Sequence, residues 1–122
     1  MSFVLVTTDG ILEIQSEPTG EMIETVLAGE ATDVGVRGSE RMCVYCNRQE
    51  MLDRKNVNPV MTVFCREQGY IGPDREIHGR GALVCDEEHR GLHGIPDRHM
   101  HRLAELAQET LQGRVAAAGG VN

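Results

Sequence analysis

Met42-Cys43-Val44-Tyr45-Cys46-Asn47 admits two readings, and the fold follows from the choice between them. As a strand, the stretch alternates: Met42, Val44 and Cys46 lie on one face, Cys43 and Tyr45 on the other. As a metal knuckle, Cys43 and Cys46 are the first half of a zinc site. The first reading makes the chain a small α+β domain whose thiols are apolar packing. The second makes it a module built around an ion.

The zinc reading needs four ligands. Cys43-x2-Cys46 and Cys85-x3-His89 supply two pairs of the right donor types, arranged as in a treble clef. Cys65 is then left over, or replaces His89. Against this, there is one C-x-x-C rather than two, and neither Gly nor Pro follows Cys46 to shape a knuckle. In the packing reading Cys43, Cys46, Cys65 and Cys85 are small buried hydrophobes. A redox pair would need a thiolate at a helix N-terminus, which the strand pattern opposes. The expectation is no resident cofactor, with one structural zinc as the alternative.

Working outward, Phe3 to Thr7 and Ile11 to Gln15 are β-rich runs around Asp9-Gly10, a hairpin signal. Met22, Ile23, Val26 and Leu27 form one stripe of a helix over about 19–28. Thr19 or Ser16 caps it and Gly29 stops it. Ala31–Arg37 reads as a third strand, Gly38-Ser39-Glu40 as a turn, and Arg41–Cys46 as a fourth strand. Asn47–Val57 is polar and reads as a solvated connection. Asn58-Pro59 places an N-cap before a favoured first helical residue, predicting a helix over 59–68 closed by Gly69. Ala82–Cys85 is a last strand, bent at Gly79-Arg80-Gly81. Pro96–Gln112 is a final helix with Met100, Leu103, Ala104, Ala107 and Leu111 on one face. Residues 113–122 read as a flexible tail, so 1–112 form a single domain.

The five histidines lack catalytic partners in sequence. His89 and His93 stand at i, i+4, but Gly91 and Gly94 interrupt the segment and the Glu of H-E-x-x-H is missing. His78, His99 and His101 read as solvated or capping residues. An HNH nuclease would want an Asp-His pair between the cysteine pairs, and none is there. No G-x-S-x-G, phosphate loop or dinucleotide fingerprint occurs. Asp86-Glu87-Glu88 are consecutive and cannot converge as an acid–base pair. No catalytic residue is therefore expected.

The chain has 122 residues and a net charge of -7, with 12 Lys and Arg against 19 Asp and Glu. That balance repels a phosphate backbone and suits a basic protein partner or mimicry of nucleic-acid charge. Aromatics are 3 %, too few for base stacking. No apolar run reaches the roughly 20 residues that span a bilayer. The start lacks a basic n-region, which predicts a cytosolic protein.

In order, the segments Asp9-Gly10-Ile11-Leu12-Glu13, Leu27-Ala28-Gly29, Arg41 to Asn47, Asn58-Pro59-Val60-Met61-Thr62 and Ile77 to Val84 resemble a family of small phage- and plasmid-encoded proteins of unknown function. The resemblance covers roughly the first 90 residues. The family's pattern has apolar or polar residues where Cys43, Cys46 and Cys65 stand. It therefore favours the strand reading and implies a ββαββαβ-like antiparallel α+β domain, with a C-terminal helix outside the match. The implied function is that of a non-enzymatic accessory protein in the host cytosol. It would bind a host protein, as an acidic inhibitor or DNA mimic. The alternative is a zinc-structured interaction module using Cys43, Cys46, Cys85 and His89.

Overall fold

Val4 stands opposite Ile14 in an antiparallel hairpin of β1 (Ser2–Val6) and β2 (Leu12–Ser16). Its turn is closed by hydrogen bonds from the Gly10 amide to the Thr7 carbonyl and from the Ile11 amide to the Thr7 hydroxyl, each 3.1 Å. Gly10 takes a φ of +84°, open to a residue without Cβ. The structure, a computed structural model, describes residues 2–16, 19–37, 42–85 and 95–113. The expected turn at 38–40, the acidic run 86–88, His89, His93 and residues 114–122 lie outside these.

Helix α1 (Gly20–Leu27) begins where the Thr19 hydroxyl accepts from the Met22 amide at 3.1 Å. It ends at Ala28, which takes the left-handed conformation (φ 61°) expected of Gly29. Gly29 is small for a different reason. A Cβ there would stand 2.8 Å from Asn47 Nδ2, and that nitrogen donates to the Leu27 carbonyl at 3.0 Å.

Residues 42–47 are a strand. β4 (Met42–Asn47) pairs antiparallel with β3 (Ala31–Arg37) on one side and β5 (Gly81–Cys85) on the other. β5 also pairs antiparallel with β1, giving one five-stranded sheet in the order β2-β1-β5-β4-β3. The antiparallel α+β domain expected from the sequence is the one observed.

The polar stretch after β4 contains a helix that the sequence reading left as a connection. α2 (Arg48–Asp53) is started by Asn47, whose Oδ1 accepts from the Glu50 amide at 3.0 Å. It buries no residue fully, and Met51 alone packs partly on the core, too little to make an apolar stripe. α3 (Pro59–Gln68) is capped by Asn58 and closed by Gly69 (φ 76°), as the residues predict. α4 is Asp97–Leu111. The order is ββαββααβα, one helix more than expected.

The sheet separates two cores. Val4, Val6, Val44, Cys46 and Leu83 meet Phe64, Leu103 and Leu106 of α3 and α4. Phe3, Leu5, Ala82 and Val84 meet Ile23 and Leu27 of α1. Each fully buried Leu or Phe contributes about 1.5–3 kcal/mol, more than any surface ion pair here. Apolar burial on both faces therefore sets the stability. Among the described residues no helix is long and apolar enough to cross a membrane.

Candidate interaction surface

The strand geometry decides what the cysteines can do. Cys46 shares the core of Met42 and Val44 beneath α3, where Cys65 also lies. Cys43, one position out of phase, lies on the opposite face with Tyr45, and its thiol donates to Asp33 Oδ1 at 3.5 Å. Two thiols on opposite faces of one strand cannot grip a common ion. Cys43, Cys46 and Cys65 are all buried. Burial pushes the Cys46 thiol up to about 12 and raises that of Cys65 as well. These groups therefore stay protonated, the poor form for metal binding or nucleophilic attack. The Cys85 backbone pairs with Met42, and His89 lies outside the described residues. Among the described residues no group of three or more His, Cys, Asp and Glu is gathered.

Two histidines read as solvated or capping are buried instead. His99 is 3 % exposed and packs edge-on against the Phe64 ring, with 5.4 Å between centroids. His78 is 7 % exposed. The buried stripe of α4 is accordingly His99, Leu103, Leu106 and Ala107. It is rotated from the expected one, and Leu111 is left 73 % exposed.

That exposure belongs to a larger feature. The hairpin turn abuts the end of α4: a Cβ on Gly10 would stand 3.1 Å from Thr110 Cγ2. Ile11 (52 % exposed) and Leu111 adjoin this contact in sequence. Ile14, opposite Val4 on β2, is 64 % exposed. It shares a face with Leu12, which packs on the α3/α4 core. β2 pairs with β1 alone among the described strands, so no other described strand covers its outer edge. It carries neither Pro nor Lys, the residues that usually blunt such an edge.

The described residues of the hairpin and of the last turns of α4 carry mostly carboxylates, with Arg102 beside Glu105 at 3.8 Å. Residues 7–16 and 103–113 contain Asp9, Glu13, Glu105 and Glu109 and no Lys or Arg. α4 also ends there, without a basic residue in its last turn. The negative end of its dipole adds to the carboxylates of its own last turns. The result is an apolar corner with an acidic rim. The sequence reading took Ile11, Leu12 and Ile14 as ordinary strand residues and put Leu111 on one face of the last helix with Met100, Leu103, Ala104 and Ala107. Only the way α4 lies over β2 shows which of them stay uncovered. Compared with known proteins, the chain matches no family model, no curated protein and no solved structure.

Proposed function

We propose that the protein is a non-enzymatic accessory protein of a phage or mobile element that binds a host protein in the host cytosol. The observation that carries this is the acid-rimmed apolar corner of β2 and α4. An edge strand can add a strand of a partner through main-chain hydrogen bonds. Ile14, Ile11 and Leu111 supply apolar anchors beside it. The acidic rim favours a partner with an apolar centre ringed by Lys and Arg, and raises the rate of encounter. Mimicry of nucleic-acid charge is the mode that such a rim supports, with phage or plasmid origin resting on the sequence resemblance.

The test uses the full chain as bait in host lysate. A protein captured by the unaltered chain should be lost with Ile14→Glu and with Leu111→Glu, and kept with Leu52→Glu, an exposed site on α2. Sedimentation of the chain alone should show a monomer. A dimer broken by Ile14→Glu would mean that a second copy covers the corner, and would overturn the proposal. Capture indifferent to both corner substitutions would do the same.

A further inference from the structure

Away from β2, the segment after α2 and the loop before β5 line an open surface pocket of about 470 Å³, whose charged side chains are exposed. That is within the range small-molecule sites occupy. Arg54, Arg75, Asp74 and Glu76 line it, with Met51 as apolar wall and His78 beside it.

The walls are fixed before any ligand arrives. Val57 and His78 form an isolated antiparallel bridge. The Asn58 amide donates to the Ile77 carbonyl and the Gly79 amide to the Asn56 carbonyl, each at 2.7 Å. The Ile77 amide donates to Thr62 Oγ1 at 2.9 Å, and Arg66 Nε to the Arg75 carbonyl at 3.0 Å. Gly79, at φ +77°, admits no side chain, because a Cβ there would stand 2.7 Å from Glu50 Oε2. A site held this firmly loses little entropy on binding.

Three features of this pocket do nothing evident for folding. Arg54 ends α2 in the left-handed conformation (φ 54°), where glycine would be free of strain. Among the described residues neither Arg54 nor Arg75 has an ion pair. His78 Nδ1 is sealed from solvent and has no hydrogen-bond partner. Buried polar atoms are nearly always paired, but this one is closed to any ligand in the pocket, so the case for a bound group rests on the two arginines and two carboxylates around it.

We propose that this pocket binds a small amphoteric molecule, one carrying an oxyanion together with an ammonium group. The guanidinium forks of Arg54 and Arg75 suit a phosphate or carboxylate. Asp74 and Glu76 suit the ammonium. Two cations and two anions share the rim, so a purely anionic ligand meets two carboxylates and a purely cationic one meets two guanidiniums. The site is independent of the partner-binding corner and uses none of its residues.

Amide NMR titration of the full chain tests it, with phosphoethanolamine and 4-aminobutyrate as probes and inorganic phosphate as the anion-only control. At least one amphoteric probe should give saturable shifts confined to residues 51–57 and 72–79, and the one that saturates identifies the oxyanion. Inorganic phosphate should bind about tenfold more weakly. Arg54→Gly relieves the backbone, so the variant should melt no lower than the parent chain yet bind about tenfold more weakly, as should Arg75→Gln. The proposal fails if neither probe saturates below about 10 mM. It fails equally if phosphate alone binds as tightly, or if both arginine variants bind like the parent.

Discussion

Asn58 is fully buried, and each polar atom of its side chain is used. Oδ1 accepts from the Met61 amide at 3.1 Å. Nδ2 donates to the carbonyls of Val6 and Gly79, each at 2.9 Å. One side chain thus starts α3 and ties it to β1 and to the loop before β5. Asn58→Ala removes the cap and leaves two buried carbonyls short of a donor. The expected loss is about 2–4 kcal/mol in urea unfolding. Asn58→Ser should retain the cap and fall between. A loss under about 1 kcal/mol for the alanine would mean that the network carries no weight. The thiols give a second prediction at this scale. Cys46 and Cys65 are sealed in the α3/α4 core, so alkylation of the folded protein should proceed only as fast as the fold opens. Fast labelling would contradict their placement. Chelators should leave the melting temperature unchanged, since Cys43 and Cys46 face apart.

At the scale of elements, α3 and α4 are joined by burial and by two side chains whose contributions both fall on acidification, in different pH windows. Glu67 accepts from Arg102 Nε at 2.7 Å and Nη2 at 2.5 Å. This hydrogen bonding holds its carboxyl below the usual 4.5. Its contribution is present above that value and is lost as the pH falls through the lowered pKa. Solvent reaches the pair, so the contribution is at most about 1 kcal/mol. His99 acts higher on the scale. Burial first, and Arg98 second, hold its pKa below 6.5. The unfolded chain then takes up the proton more readily than the folded one. Stability should decline as the pH falls below 6.5 and level off beneath the folded pKa. Melting temperatures between about pH 7.5 and about pH 5.5 check this, and His99→Phe should flatten the slope. An unchanged slope would assign the effect to another group. Much of this level was legible in the residues. β-branched alternation located the strands, and Thr19, Asn58 and Gly69 marked helix ends by their own chemistry. α2 was not legible because it buries no residue fully, and a single partly covered Met51 makes no apolar stripe. The stripe of α4 was misread because Met100 and Leu111 are apolar and His99 is not. Contact with Phe64 then overrode that preference.

The whole molecule sets charge against exposure. The surface carries an excess of carboxylates, and the corner of β2 and α4 combines them with uncovered Ile11, Ile14 and Leu111. This was not legible in the sequence, since exposure there depends on how far α4 extends over β2. Partner association through this corner should weaken as salt rises, because the acidic rim is screened. The paired substitution Glu13→Gln and Glu109→Gln should flatten that salt dependence while leaving the apolar anchors in place. A steep dependence that survives the pair would move the electrostatic contact elsewhere on the surface. The most direct test of the account is the affinity of a captured host protein for the unaltered chain and for Ile14→Glu with Leu111→Glu combined. The account predicts a loss of about a hundredfold or more, with the fold intact by amide NMR. Equal affinities in the two chains would contradict it.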